Sequence, residues 1–249
     1  MSLVSKVIIN ADDFGKDENA TMAIAEAFRR GFINQTTLMV NMPWAEKAVE
    51  LARKERFADK VGLHLNLTEG LPLTEQMSKC RVFCDGDGAF LGHYATREEL
   101  GHEDVRNALE EEIEAQVLKY VGYALPLMHC DGHHHVQNRL QTARVLIPIL
   151  AKHGFKTIRR PANAYESAFA LHIRSRLLQI RFALMARHNG LQLASSIFGG
   201  WSAATERFVR NGKISSVEIM VHPRYDAAGD LVDVTDFRNN TGRKLAEIK

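Results

Sequence analysis

Short apolar runs of strand character, each ending in a polar cluster and followed by residues at helical spacing, recur along this chain. Residues 4–10 (VSKVIIN) form the first, a β-branched run leading into Ala11-Asp12-Asp13, with Gly15 able to turn the chain sharply. Asp17 then suits a helix N-cap, Ala20, Ile24, Ala27 and Phe28 share a helical face, and Gly31 suits the end of that helix. A second strand is expected over 36–41, with Pro43 opening a helix that runs to about Arg56. A third is expected over 60–67 (KVGLHLNL), carrying His64. Residues 68–95 are rich in Gly, Pro and Asp with little periodicity, which predicts a long lid or binding loop. Its Asp85-Gly86-Asp87-Gly88 lacks the later ligands of a calcium loop and predicts a tight turn.

The same order continues downstream. Residues 98–120 have helical composition, 127–130 form a short strand before Asp131-Gly132-His133-His134-His135, and 139–153 form a helix ended by Gly154. Residues 156–159 form a strand closed by Pro161, and the Arg-rich stretch 174–187 shows roughly helical apolar spacing. Residues 191–198 are extended, 202–211 helical, and 217–221 (VEIMV) form a last strand delivering His222-Pro223. Such a series of β-then-α units requires a mostly parallel sheet, and hence an α/β fold. An open doubly wound sheet and a closed or incomplete (β/α) barrel both satisfy it. No GxGxxG follows the first strand and no GxxxxGK[ST] occurs, so nucleotide-binding versions of the open sheet lose support.

Composition narrows the picture further. With 249 residues and no linker, one domain over 1–249 is expected. A net charge of +2, with Lys and Arg interleaved among Asp and Glu, argues against a nucleic-acid partner. No apolar run approaches the roughly 20 residues of a membrane span. Three cysteines and no signal-peptide layout favour a reduced, cytoplasmic protein, with Cys80 and Cys84 structural.

The polar clusters fall at strand C-termini, where the loops of an α/β barrel converge on one face. Neighbouring residues in a regular strand face opposite ways, so Asp12 and Asp13 share a site only if the backbone bends there. One carboxylate would then hold a metal while the other acts as base. An isolated Asp-Asp is ordinarily a turn or cap, but a hydrophobic strand running straight into it reverses that preference. His64 alone would ordinarily be a packed or surface residue; the His133–His135 run, with Asp131 able to hold a ligating imidazole, makes it a candidate ligand. Two histidines and one aspartate suit zinc and other divalent ions with open positions, whose bound water and polarised carbonyl describe amide or ester hydrolysis. His222 is placed to be the acid for a leaving amine, and Arg159 or Arg160 to orient the base or steady an oxyanion.

The segments Ile9-Asn10-Ala11-Asp12-Asp13-Phe14-Gly15, Gly62-Leu63-His64-Leu65, Asp131-Gly132-His133-His134-His135-Val136 and Val221-His222-Pro223 resemble the YdjC family of carbohydrate deacetylases, in order and over nearly the whole chain. The family includes chitooligosaccharide and hopanoid-biosynthesis deacetylases. The resemblance implies a distorted (β/α) barrel, a divalent metal ion (zinc or magnesium), removal of acetyl groups from N-acetylated sugars, and a homodimer as a possible state. Carried over residue by residue, it implies that Asp13, His64 and His133 bind the metal and that Asp12 is the base, with the two aspartates exchangeable. Arg159 and Asp131 would support the site, and His222 would be the acid. Loop 68–95, the Arg-rich helix and Phe198-Gly199-Gly200-Trp201 would shape substrate binding. A metal-dependent lyase or isomerase and a silent sugar-binding protein are the alternatives the residues leave open.

Overall fold

The computed structural model describes residues 6–93, 95–96, 98–161, 173–194, 196–199, 216–235 and 243–244. Strand β1 spans Lys6–Phe14 and runs through Asp12 and Asp13, where sequence pattern ends it at residue 10. The extension carries a bulge: Ala11 pairs with Thr36 and Phe14 with Leu38, so three steps on β1 meet two on β2, Gln35–Leu38. Helix α1, Glu18–Arg29, lies between them, and the Asp17 side chain accepts the Ala20 N–H at 2.8 Å as its cap. Helix α2, Ala45–Lys54, starts two residues after Pro43 because the Trp44 N–H is engaged by the Gly15 carbonyl.

Strand β3 (Val61–Leu65), α3 (Glu75–Lys79), α4 (Glu103–Gly122), β4 (His129–Gly132), α5 (Leu140–Lys152) and β5 (Thr157–Ile158) follow. After them come α6 (Ile173–His188), β6 (Ser196–Gly199) and β7 (Ser216–Val221). These seven strands form one parallel sheet in the order β5-β4-β3-β2-β1-β7-β6.

The sheet is strongly curled. Strands β5 and β7 are five positions apart, about 24 Å in a flat sheet at 4.8 Å per strand. Yet Arg159, directly after β5, places Nε 2.6 Å from Glu218 Oε1 on β7. The backbone ahead of β6 also reaches β5, with Ile158 N–H to the Gln192 carbonyl at 3.0 Å and Gln192 N–H to the Lys156 carbonyl at 2.9 Å. The architecture is therefore an incomplete (β/α) barrel, in agreement with the strand-then-helix pattern.

Strand parity sorts the core. Val61, Leu63 and Leu65 join the apolar layer with Ile113, Val117 and Tyr120 of α4, while His64 between them points into the barrel. A parallel sheet covered by helices buries both faces, and here the inner face is polar. The 68–95 segment is packed rather than a free lid: Met77, Phe83, Cys84 and Phe90 are buried, and buried Glu112 of α4 accepts the N–H groups of Leu73 (3.0 Å) and Thr74 (2.9 Å). Its apolar residues follow no single period, which hides them from pattern. Asp85–Gly88 is a tight turn, as expected. Three cysteines are free, with Cys84 and Cys130 buried.

A small antiparallel sheet, β8 (Pro223–Tyr225), β9 (Leu231–Asp233) and β10 (Arg243–Lys244), was not anticipated. Its strands are too short to show alternation. It docks on α1 through Asn19, which exchanges hydrogen bonds with Tyr225 at 2.8 and 3.0 Å. The helix expected over 202–211, and Gly200 and Trp201, lie outside the described residues. Among the described residues no helix is long and apolar enough to cross a membrane.

Candidate active site

The barrel interior holds two charge clusters that share β1. In the first, Arg159 is fully buried and donates to three carboxylates: Nη1 and Nη2 to Asp12 at 2.6 and 2.7 Å, Nη2 to Asp131 at 2.7 Å, and Nε to Glu218 at 2.6 Å. Asn10, on the same face of β1 as Asp12, donates to Asp12 at 2.8 Å and to Asp131 at 3.3 Å. Burial alone would raise the Asp12 carboxyl, but the adjacent guanidinium overrides it and holds Asp12 far below the usual carboxylate range. Of the two roles expected for Arg159, geometry supports orienting Asp12. With all three guanidinium nitrogens on carboxylates and no exposed surface, it cannot reach an oxyanion. Arg160, next in a strand-like segment, points the other way into a separate cleft beside Arg176 and Arg187 of α6.

The second cluster is made by the bulge. Asp13 has a positive φ of 71°, which swings its carboxylate to the same site as Asp12. Its Oδ1 lies 3.3 Å from His64 Nε2 and 2.9 Å from His133 Nδ1. The expected bend is thus present, and it brings Asp13, His64 and His133 together. All three ligand atoms fall within 4.8 Å of one another.

The far side of each ring is held by a carboxylate. His64 Nδ1 donates to Asp131 Oδ1 at 2.7 Å, the hydrogen bond expected of Asp131, and Thr37 donates to the other Asp131 oxygen at 3.0 Å. His133 Nε2 donates to Glu69 Oε2 at 3.0 Å, and Lys16 Nζ pairs with the same oxygen at 2.7 Å. Burial would lower the His64 pKa, but Asp131 and Asp13 push it up to about 10; Asp13 and Glu69 likewise raise His133 against its burial. Asp13 stays well below its usual value against the cost of burial, because the His133 and His64 rings lie close beside its carboxylate.

Asp13 Oδ1 and His64 Nε2 are buried yet make no hydrogen bond of good geometry. Buried polar atoms are ordinarily satisfied, so two such atoms aimed at one point call for a further partner. Two imidazole nitrogens and a carboxylate oxygen fit a divalent cation of the zinc type, with each His presenting one nitrogen and donating from the other.

These groups line a cavity of about 530 Å³ that also takes in Asp12, Lys16 and His222. His222 receives its backbone anchor from Asp233 Oδ1 at 2.9 Å, and its Nδ1 lies 3.1 Å from Thr235 Oγ1. Thr235 gives its own hydrogen to Asp233, so its oxygen accepts from Nδ1 and the other His222 nitrogen is unused by this anchor. His134 and His135 sit at the exposed rim, His134 with Nδ1 3.1 Å from Thr68 Oγ1. Asp12, Asp13, His64, His133, Asp131, Arg159 and His222 therefore all meet at one end of the barrel. Sequence reasoning missed Glu69, Lys16, Asn10, Thr37 and Glu218. A signal existed for Glu218: a charged residue inside the apolar strand VEIMV, on a sheet buried on both faces, must have a partner.

The YdjC-like protein family model matches residues 6–247. A carbohydrate deacetylase of Brevibacillus brevis (strain 47) is 34% identical over 228 residues, spanning 88% of this chain and 82% of the relative. A carbohydrate deacetylase of Listeria welshimeri is 38% identical over 133 residues, 53% of this chain and 52% of the relative. A solved structure from Enterococcus faecalis V583, provisionally named a cellobiose-phosphate cleavage protein, superposes with a TM-score of 0.70 at 24% identity, covering 90% of this chain and 83% of its own; this likeness shows the fold. With the family match running almost from end to end, this chain belongs to the YdjC-like protein family.

Proposed function

We propose that this protein is a metal-dependent hydrolase that removes acetyl groups from N-acetylated sugars, with GlcNAc-containing oligosaccharides as the substrate class. The observation that carries the proposal is the convergence of Asp13, His64 and His133, with unsatisfied buried atoms aimed at one point, beside the ionised Asp12. The named activity of the Brevibacillus and Listeria relatives supports the same chemistry.

Asp13 Oδ1, His64 Nε2 and His133 Nδ1 would hold the ion. Magnesium prefers all-oxygen shells, so zinc is the first ion to try on this nitrogen-rich set. When bound, such an ion acidifies a water toward neutral pH and polarises the acetamide carbonyl. Asp12, kept ionised by Arg159, accepts a hydrogen bond from the attacking water and aligns it. A carboxylate held so low is a weak base, so it orients the water, whose proton is relayed through the free His222 nitrogen to the departing amine while the acetyl carbon takes the hydroxyl. His222, anchored at Nδ1 by Thr235, has its other nitrogen for protonating the departing amine. Arg159 and Asp131 keep Asp12 and His64 in place and do not touch substrate.

Acetate release from chitobiose and chitotriose, with and without chelator, tests this. Release that depends on added divalent ion is the expected result. Release unaffected by chelation would defeat the mechanism, whereas silence on both sugars would count against this substrate choice. A homodimer in the cytoplasm belongs to the same proposal; light scattering after size-exclusion chromatography reads its mass, and fractionation of the source cells reads its location.

A further inference from the structure

We propose that Glu69 is the positioning residue for His133, fixing which ring nitrogen faces the metal site, and that Lys16 holds Glu69 in that role. This rests on the ion binding proposed for Asp13, His64 and His133. Glu69 stands on the segment after β3 that pattern marked as a long lid or binding loop.

The two imidazoles are supported in parallel ways. His64 turns Nε2 toward Asp13 and gives Nδ1–H to Asp131; His133 turns Nδ1 toward Asp13 and gives Nε2–H to Glu69. A carboxylate only accepts, so each selects the opposite tautomer of its ring. Glu69 binds the nitrogen on the far side of the His133 ring from Asp13, which makes it a support for that ligand and leaves it outside the ligand set. Lys16 Nζ lies 2.7 Å from Glu69 and 3.8 Å from Asp13, tying the support to the centre.

Glu69 is itself built in from the core. Asn66 Oδ1 accepts the N–H groups of Thr68 and Glu69, both at 3.1 Å, and Asn66 Nδ2 donates to the Glu69 carbonyl at 2.7 Å. Buried Gln116 of α4 clamps the Asn66 backbone from both sides, at 3.1 and 2.7 Å, and donates to Glu112 at 2.8 Å. The turn carrying Glu69 is therefore held by a buried amide and carboxylate pair rather than by solvent-exposed contacts.

The test is calorimetric titration of zinc into wild type, Glu69→Ala, Glu69→Gln and His64→Ala, with thermal melts of the ion-free proteins and long-range 1H–15N spectra of the zinc-loaded imidazoles. Outer carboxylate partners of ligating histidines are worth roughly 10–100-fold in metal affinity, and a loss in that range is expected for Glu69→Ala. Glu69→Gln should recover part of it, since the amide oxygen still accepts Nε2–H. Ion-free melting should fall only slightly, since Glu69 is partly exposed, and His133 in loaded wild type should carry its proton on Nε2. Zinc affinity unchanged in Glu69→Ala but lost in His64→Ala would overturn this role alone, as would a His133 proton on Nδ1. A wild type that binds neither zinc nor magnesium would overturn the metal-dependent proposal and this role together.

Discussion

Two charge clusters lie side by side in the barrel, built partly from adjacent residues of one strand, and they are finished to different degrees. Around Arg159, a guanidinium meets Asp12, Asp131 and Glu218, and every nitrogen is used. Around Asp13, two imidazoles and a carboxylate converge with buried atoms left unpaired. A closed network sets geometry, whereas an open one retains binding capacity. The contrast teaches that Asp12 and Asp13, alike in sequence, differ because one has both oxygens held by a guanidinium within the chain and the other keeps a buried oxygen without a hydrogen bond.

The largest effect expected from breaking this contrast is in the closed cluster. Arg159→Met would leave three buried carboxylates facing one another, and removing one partner of a buried ion pair costs about 3–5 kcal/mol. Urea denaturation should show at least that loss or no folded protein. Arg159→Lys should not restore it, because one ammonium cannot reproduce the bidentate fork on Asp12. A variant of wild-type stability would show that the closed cluster is not structural.

Next in size is Asp12→Asn, which keeps the shape but removes the charge. Acid–base groups typically contribute 10²–10⁴-fold, so kcat should fall by about that range while zinc affinity stays near wild type. Equal loss of both would show that the two clusters are not separable.

A third, smaller effect sharpens the open cluster. His64 is raised to about 10, so near neutral pH its ring is protonated before ion binding, and Asp13 and Glu69 raise His133 as well. Because ligating nitrogens must be deprotonated, zinc uptake should release protons and weaken as pH falls. The sign for ion-free stability is the reverse: the His64 contribution is full below about 6.5 and is lost as pH rises through about 10. Titrations in buffers of different ionisation enthalpy measure the protons, and none released would contradict the assigned ring roles.

The smallest effect concerns the segment support. Glu69 is held near 2 by the hydrogen bond from His133, against partial burial and with help from Lys16. Its contribution is therefore present above about 4.5 and lost as pH falls toward 2. It is partly exposed, so solvent screening keeps the effect slight. Glu69→Gln should flatten the acid limb of a stability profile slightly, and an unchanged limb would remove Glu69 from the linkage.

Much of this was legible in the chain because strand parity carries it. A run such as GLHLN sends leucines outward and His64 inward whatever the surroundings, and the polar ends of successive parallel strands must meet on one face. What parity could not decide was Arg159 against Arg160, since choosing between them requires knowing how far the sheet curls toward β7. Glu69 was invisible for another reason: it sits in an aperiodic segment, and its role depends on Gln116 and Glu112 in a helix nearly fifty residues on. Glu218 showed itself only as a charge out of place. The site's ends were readable from local pattern, and its supports were not, because supports are made by long-range pairing.

The backbone at Asp13 carries one last consequence, for which amino acids this position can ever hold. A φ of 71° is left-handed, a region that Asp and Asn enter several-fold more readily than most L-residues. Glu, the other acid, lacks the short side chain that makes this conformation tolerable and would meet a cost of about 1–2 kcal/mol. Its extra methylene would also carry the carboxylate past the point where both imidazoles aim. Backbone handedness and ligand reach thus select the same residue, so the chemical alphabet at this position is narrower than the chemistry of cation binding alone would require.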